Sequence, residues 1–274
     1  MYKYTVLTYI FNGYENVREI GECDPNAEYL LITDDPELKS ETWKVIYDHE
    51  LDGLSPFDKC YRVRFSLFNY ASTDICVYID GSIHIQKSFS HLIDDFIAGN
   101  YEAGVMVHAQ RDTFPEEYQV WMQFRNYPEK QAEKFFKLLQ HSNYDLNFRG
   151  MFAGGFRIWR RTKLCADIDR MTMAFLTMLG EENQIERLDQ TVFSYVLNTF
   201  FRDINILPLS FQVILSDYMQ WCHHGTRIPH SEFGFNTAHA DVQYVFNKRV
   251  QCHYLLPPGV AQPPRKKQVT YSFR

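Results

Sequence analysis

The chain has 274 residues, of which 45% are hydrophobic and 16% aromatic, enough to bury the core of one large domain or two intimate ones, which excludes a mainly disordered protein. A formal charge of -6 excludes general electrostatic attraction to nucleic acid, so any anionic ligand must be met by a local cluster of bases, and a small phosphate compound is the expected partner. The six cysteines form no CxxC pair and no zinc-like spacing, and they read as reduced thiols.

The N-terminal residues run directly into a strand pattern. No charged-then-apolar leader precedes it and no apolar run is long enough to span a bilayer, so the expectation is a cytoplasmic protein. Strands are expected at Tyr4 to Phe11, Tyr29 to Thr33, Trp43 to Tyr47, Ile75 to Asp80 and Ala103 to His108, with helices at Pro56 to Asn69 and Ser88 to Ala98 between them. This alternation implies an α/β fold whose mainly parallel sheet carries helices on its faces. From about Pro128 helical spacing dominates, over Pro128 to His141, Lys163 to Leu179 and Arg187 to Phe200. The stretch from Pro257 to the C-terminus is proline-rich and basic and cannot build helix or sheet. It reads as a solvated tail, and Arg265, Lys266 and Lys267 give it a possible peripheral contact with an anionic membrane.

The sharpest local feature is Ile75-Cys76-Val77-Tyr78-Ile79 ending in Asp80-Gly81-Ser82. A strand apolar on both faces belongs inside a covered sheet, and ligands of such sheets gather beyond the carboxyl ends of the strands, where Asp80 falls. Asp-Gly-Ser is equally a turn sequence. The first expected strand likewise opens into Asn12-Gly13, and the second ends at Asp34-Asp35-Pro36; both are turns near the same edge. In the helix after Pro56, Lys59 and Arg62 are three apart and share a face, while Phe57, Cys60, Tyr61 and Phe68 form the apolar stripe. The two cations fit either a diphosphate or a plain solvated face.

Four segments in order, Tyr78-Ile79-Asp80-Gly81-Ser82, His108-Ala109-Gln110-Arg111-Asp112 with Glu116-Glu117, Gly154-Gly155-Phe156-Arg157-Ile158-Trp159-Arg160-Arg161, and Arg187-Leu188-Asp189-Gln190-Thr191-Val192-Phe193-Ser194-Tyr195, resemble a GT-A glycosyltransferase. More closely, they resemble the glycosyltransferase-like domain family of bacterial polysaccharide clusters and plant mucilage and cell-adhesion proteins. The resemblance implies a single GT-A-like domain over residues 1–256, with a nucleotide-sugar half (1–110), an acceptor half (111–256) and then the tail (257–274). It implies transfer of a sugar from a nucleotide diphosphate donor to a saccharide or lipid-linked acceptor. The donor-binding set becomes Tyr9, Asn12, Asp34, Lys59, Arg62, Asp80, Gly81, Ser82, His108, Arg111, Gly154 and Gly155. Asp189, Gln190 and Glu117 take the catalytic roles.

A Mn²⁺ or Mg²⁺ ion is implied at Asp80, with His223 and His224 as further ligands. GT-A enzymes usually carry Asp-x-Asp there, and Ser82 stands in place of the second acid. Such ions keep waters and substrate oxygens as ligands, so a reduced protein set remains workable. Independently of the family, Arg111 has the forked geometry to clamp a phosphate, and Glu116 and Glu117 suit either an acceptor hydroxyl or the first turn of a helix. Helical projection puts Asp189 on one face with Phe193, Val196 and Phe200, toward the packed side, where an acid must be paired, hydrogen-bonded or functional; an N-terminal cap is the alternative. A non-catalytic nucleotide- or glycan-binding protein and an aspartyl phosphohydrolase are the competing readings. For the latter, the acid two residues from Asp80 is missing at both Tyr78 and Ser82.

Overall fold

Strands β1 (Tyr4–Ile10) and β4 (Ile75–Ile79) are buried at every position, as strands covered on both faces must be. The computed structural model describes residues 2–108, 113–117, 137, 141, 150–181, 189–210, 218–222, 244–245 and 248–249. Within them, β2 (Ala27–Thr33), β3 (Lys44–Tyr47), β6 (Ala103–Val107), β7 (Phe152–Arg160) and β8 (Ile206–Leu209) join β1 and β4 in one sheet of order β3-β2-β1-β4-β7-β6-β8. All neighbours run parallel except β7, which is antiparallel to both β4 and β6. The mixed, mostly parallel sheet with flanking helices is the α/β arrangement expected from the sequence.

Alternate residues of the strands feed two cores. Leu7, Cys76, Tyr78, Val105 and Trp159 face helices α1 (Pro56–Arg64), α3 (Lys163–Glu181) and α4 (Asp189–Phe200) on one side. Val6, Val77, Ile79 and Ile158 pack with α2 (Ser90–Ala98) on the other. A short antiparallel pair, β5 (Ile83–Ile85) with β9 (Met219–Trp221), lies beyond β4, and β10 (Tyr244–Val245) with β11 (Lys248–Arg249) forms a second small ribbon. Among the described residues no helix is long and apolar enough to cross a membrane, and Cys23, Cys60, Cys76, Cys165 and Cys222 are unbonded.

Two expectations about helices change. The helix expected over Pro56 to Asn69 stops at Arg64: Phe65 leaves helical geometry (φ -104°, ψ 19°), and a separate 3₁₀ turn covers Leu67–Asn69. Phe200, expected on the packed face of α4, is 48% exposed, whereas Phe193 and Val196 are buried as expected. Phe200 is the last residue of that helix and stacks on Phe175 at the rim of the core. Most of Pro128 to His141 and all of residues 250–274 lie outside the described residues.

One charged network sits within the apolar layer. The Arg157 guanidinium on β7 lies 4.6 Å from the Trp159 ring centre and 5.3 Å from those of Phe65 and Phe193. It donates to Asp169 Oδ1 at 3.2 Å, while the Trp159 indole N–H donates to Oδ2 at 2.7 Å. Its other terminal nitrogen donates to the carbonyl of Arg64, tying the end of α1 to the sheet. Removing one member of a buried ion pair leaves the other charge uncompensated, so Asp169→Ala is expected to lose about 3–5 kcal/mol of stability. Urea unfolding of the variant checks this, and a loss below about 1 kcal/mol would contradict a structural role for the pair.

Candidate functional site

The site is built at the carboxyl ends of β1, β2 and β4. After β1, Asn12 and Gly13 adopt left-handed backbone (φ 52° and 59°), and the Asn12 N–H donates to Asp34 Oδ1 at 2.9 Å. Lys59 Nζ holds the other Asp34 oxygen at 2.6 Å, with both side chains buried. Burial alone raises the Asp34 carboxyl, but hydrogen bonds from Lys59 and Asn12 outweigh it and hold the group below its ordinary value. A carboxylate depressed on folding adds stability above its unfolded pKa, about 4, and loses it as pH falls through the folded value. The stability difference between wild type and Asp34→Asn should therefore be greatest near neutrality and narrow below about pH 4. Urea midpoints across that range measure it; a constant difference would contradict the assignment.

Four main-chain groups of the Asp80-Gly81-Ser82 turn are engaged. Asp80 N–H donates to Gly155 O at 2.9 Å, Ile83 N–H to Asp80 O at 2.9 Å, Arg18 Nη1 to Gly81 O at 2.6 Å and Cys222 N–H to Ser82 O at 2.8 Å. Arg18 is itself paired with Glu15 at 3.1 Å, both buried. The turn and site readings of this segment thus coincide: the backbone is fixed, and the Asp80 carboxylate, about a third exposed, faces the cleft.

Arg64, the last residue of α1, organises that carboxylate. Its Nη2 donates to Asp80 Oδ1 and to the Tyr78 hydroxyl, each at 2.8 Å, and Tyr78 donates to the same Oδ1. Its Nη1 binds Asp189 Oδ2. The guanidinium lies 4.9 Å from the Tyr78 ring centre and 5.8 Å from that of Tyr9. Burial disfavours its charge, but Tyr78, Tyr9, Asp189 and Asp80 outweigh this and hold it protonated, well above the usual arginine value. Burial likewise pushes the Tyr9 and Tyr78 hydroxyls up, and the Cys60 thiol to about 11, so these three stay neutral.

Asp189 and Gln190 arrive on the first turn of α4, which is stitched to the start of β7. Gln190 Oε1 accepts from Gly154 N–H at 3.3 Å, Ser194 Oγ from Phe152 N–H at 3.0 Å, and Asn198 Nδ2 donates to Gly150 O at 2.9 Å. Four residues of helix rise roughly 6 Å and two residues of strand about 6.6 Å, so side chains four apart match peptides two apart. The β6–β7 register shifts between Val105 and Met106, opposite Gly154 and Gly155, so these glycines form an irregularity of the strand. A Cβ on Gly154 would lie 3.2 Å from Arg64 Nη1, a tight contact pressing on the guanidinium, and 3.5 Å from Asp189 Oδ2, an ordinary one.

The result is an open cleft of about 490 Å³. Of the residues expected from sequence, Tyr9, Asn12, Asp80, Gly81, Ser82, Glu117, Gly154, Gly155, Asp189 and Gln190 line it, together with the aromatic rings of Phe11, Tyr14, Phe57 and Tyr61. Lys59 and Asp34 do not; they pair with each other beneath the rim. Arg62 is exposed and lines a separate groove with Phe68 and Arg170, while Lys59 is taken up by Asp34. His108 is buried at the end of β6, its N–H on Met151 O, and does not line the cleft. Arg111, His223 and His224 lie outside the described residues. Among the described residues no three His, Cys, Asp or Glu side chains converge on a metal position.

Sequence reasoning missed Arg64, Glu15 and Arg18. For Arg64 a signal existed: Phe57, Cys60, Tyr61 and Arg64 occupy one helical stripe at spacings 3, 1 and 3, and all four line the cleft.

No family model matches the chain, and no curated protein matches it. Among solved structures it is similar to the glycosyltransferase GlyE of Streptococcus pneumoniae TIGR4, at 13% identity and a TM-score of 0.39, over 77% of this chain and 46% of that one.

Proposed function

We propose that the protein is a glycosyltransferase that moves a sugar from a nucleotide diphosphate donor to a saccharide or lipid-linked acceptor in polysaccharide biosynthesis. The observation that carries this reading is the convergence of Asp80 and Asp189 on one arginine in a cleft that also bears aromatic rings. A nucleoside needs a flat apolar surface, and Tyr9, Phe11, Phe57 and Tyr61 supply one. The diphosphate and sugar need charged and hydrogen-bonding groups close by. Ser82 and Gln190 supply hydrogen bonds, while Asp80 and Asp189, being anionic, meet sugar hydroxyls directly and the diphosphate only through a bound cation.

A divalent cation fits this donor set in a restricted way. Asp80 Oδ1 already accepts from Arg64 and Tyr78, leaving Oδ2 as the oxygen for Mn²⁺ or Mg²⁺, with His223 or His224 as additional ligands. When bound, the cation would neutralise charge on the departing diphosphate. Asp189 and Gln190 orient the reacting sugar or acceptor hydroxyl, Glu117 contacts the acceptor, and Arg111 adds phosphate charge. The Arg265-Lys266-Lys267 cluster would bring the enzyme to anionic membrane that carries a lipid-linked acceptor.

The test is a panel of uridine, guanosine and cytidine diphosphate sugars, assayed for nucleotide release with and without Mn²⁺. The expected result is release from one base class. Asp189→Asn should retain nucleotide affinity and lose turnover by about 100-fold or more, since its contribution lies in the transition state. Tight nucleotide or glycan binding with no release from any donor would replace the transferase reading with that of a binding protein.

A further inference from the structure

We infer that Arg64 is the positioning residue of this site: its planar fork couples Asp80 and Asp189 into one fixed pair, and its loss slows transfer without weakening donor binding. The inference rests on the transferase reading above for its kinetic part, and on geometry alone for the rest.

Asp80 comes from the end of β4 and Asp189 from the start of α4, two segments with no direct tie through these side chains. The link between them is a single guanidinium, with Nη2 on Asp80 and Nη1 on Asp189. Arg64 is itself fixed at both ends. Its backbone carbonyl accepts from Arg157, and its guanidinium lies against the rings of Tyr78 and Tyr9. The Arg64 side chain is only 12% exposed, so its guanidinium is held by these protein groups and little by solvent.

The helix end makes this geometry available. Phe65 leaves the helix immediately after Arg64, so the arginine projects from the last turn toward the sheet edge, where a continued helix would have packed another turn against it. Two separated hydrogen-bond donors held in one plane are a property of guanidinium that an ammonium does not share. A lysine at 64 keeps the charge and can reach one acid at a time. If Arg64 only neutralised the site so that the chain could fold, lysine would suffice.

Arg64→Lys and Arg64→Met separate these roles, Met serving as an apolar side chain of similar length should Lys perturb folding. The first measurement is a crystal structure of each variant beside wild type, read for the relative placement of the Asp80 and Asp189 carboxylates. The second is kcat and KM for the donor found active in the panel, with calorimetric affinity for the matching nucleoside diphosphate. The expected result for Arg64→Lys is a shifted carboxylate pair, kcat down roughly 100-fold, and KM and nucleotide affinity within about threefold of wild type. Combining Arg64→Lys with Asp189→Asn should slow transfer by less than the product of the two separate losses, because part of the arginine's effect passes through that acid. Wild-type turnover in Arg64→Lys, or a rise in KM with kcat unchanged, overturns the inference. Unmoved carboxylates in both variants overturn it even if no donor is ever turned over, and in that case the absence of turnover counts against the transferase reading separately.

Discussion

Two carboxylates, Asp80 and Asp189, share one cleft, and the guanidinium of Arg64 is what allows them to. Unit charges about 4 Å apart repel by roughly 4 kcal/mol in the effective dielectric of a protein surface region. Placing one cation on both turns that repulsion into a bound pair, and the neighbouring Tyr78 and Tyr9 rings present their negative faces to the same cation. The arginine is buried by this arrangement, which on its own would disfavour its charge; the four neighbours reverse that balance. The pair carries one negative charge more than the arginine supplies. A cationic group brought by a ligand, or a cation bound with one, therefore meets a site already biased to receive it.

The rest of the fold is arranged to keep this cluster in place. The sheet brings Asp80 to its carboxyl edge, and β7, the antiparallel strand between β4 and β6, runs its glycines back past that edge. The ladder from Gln190, Ser194 and Asn198 to the peptides of residues 150–154 fixes where α4 starts, and hence where Asp189 stands. Beneath them the Arg157–Asp169–Trp159 network holds the carbonyl of Arg64 from the core side. A core arginine thus anchors the backbone of a cleft arginine, and the buried layer and the site are mechanically one object.

Much of this was legible in the sequence where the signal is local. The all-apolar string of β4 announces a strand covered on both faces, and an acid directly after such a strand marks the sheet edge. Asp189 stood out because a carboxylate in an apolar stripe demands a partner. Its partner is less legible: helical spacing draws the reading to Lys59 and Arg62, and no proline or glycine marks the end of the helix at Arg64. Lys59 read as a phosphate ligand because Asp34, its partner, lies across a strand and a loop, a pairing set by tertiary packing. The placement of β7 is likewise tertiary, since alternation within a strand does not say which neighbours it takes. The three-residue strands β5 and β9 are too short to carry any period.

The central claim is that the cleft around Arg64 receives a nucleoside diphosphate. A crystal of the wild-type protein soaked with Mn²⁺ and a mixture of uridine, guanosine and cytidine diphosphates tests it most directly. The account predicts density for one nucleotide, its base against Tyr9, Phe57 or Tyr61 and its diphosphate beside Asp80 and the Gly154-Gly155 peptides. A nucleotide bound elsewhere on the molecule, with this cleft empty and the Asp80–Arg64–Asp189 cluster undisturbed, would contradict it.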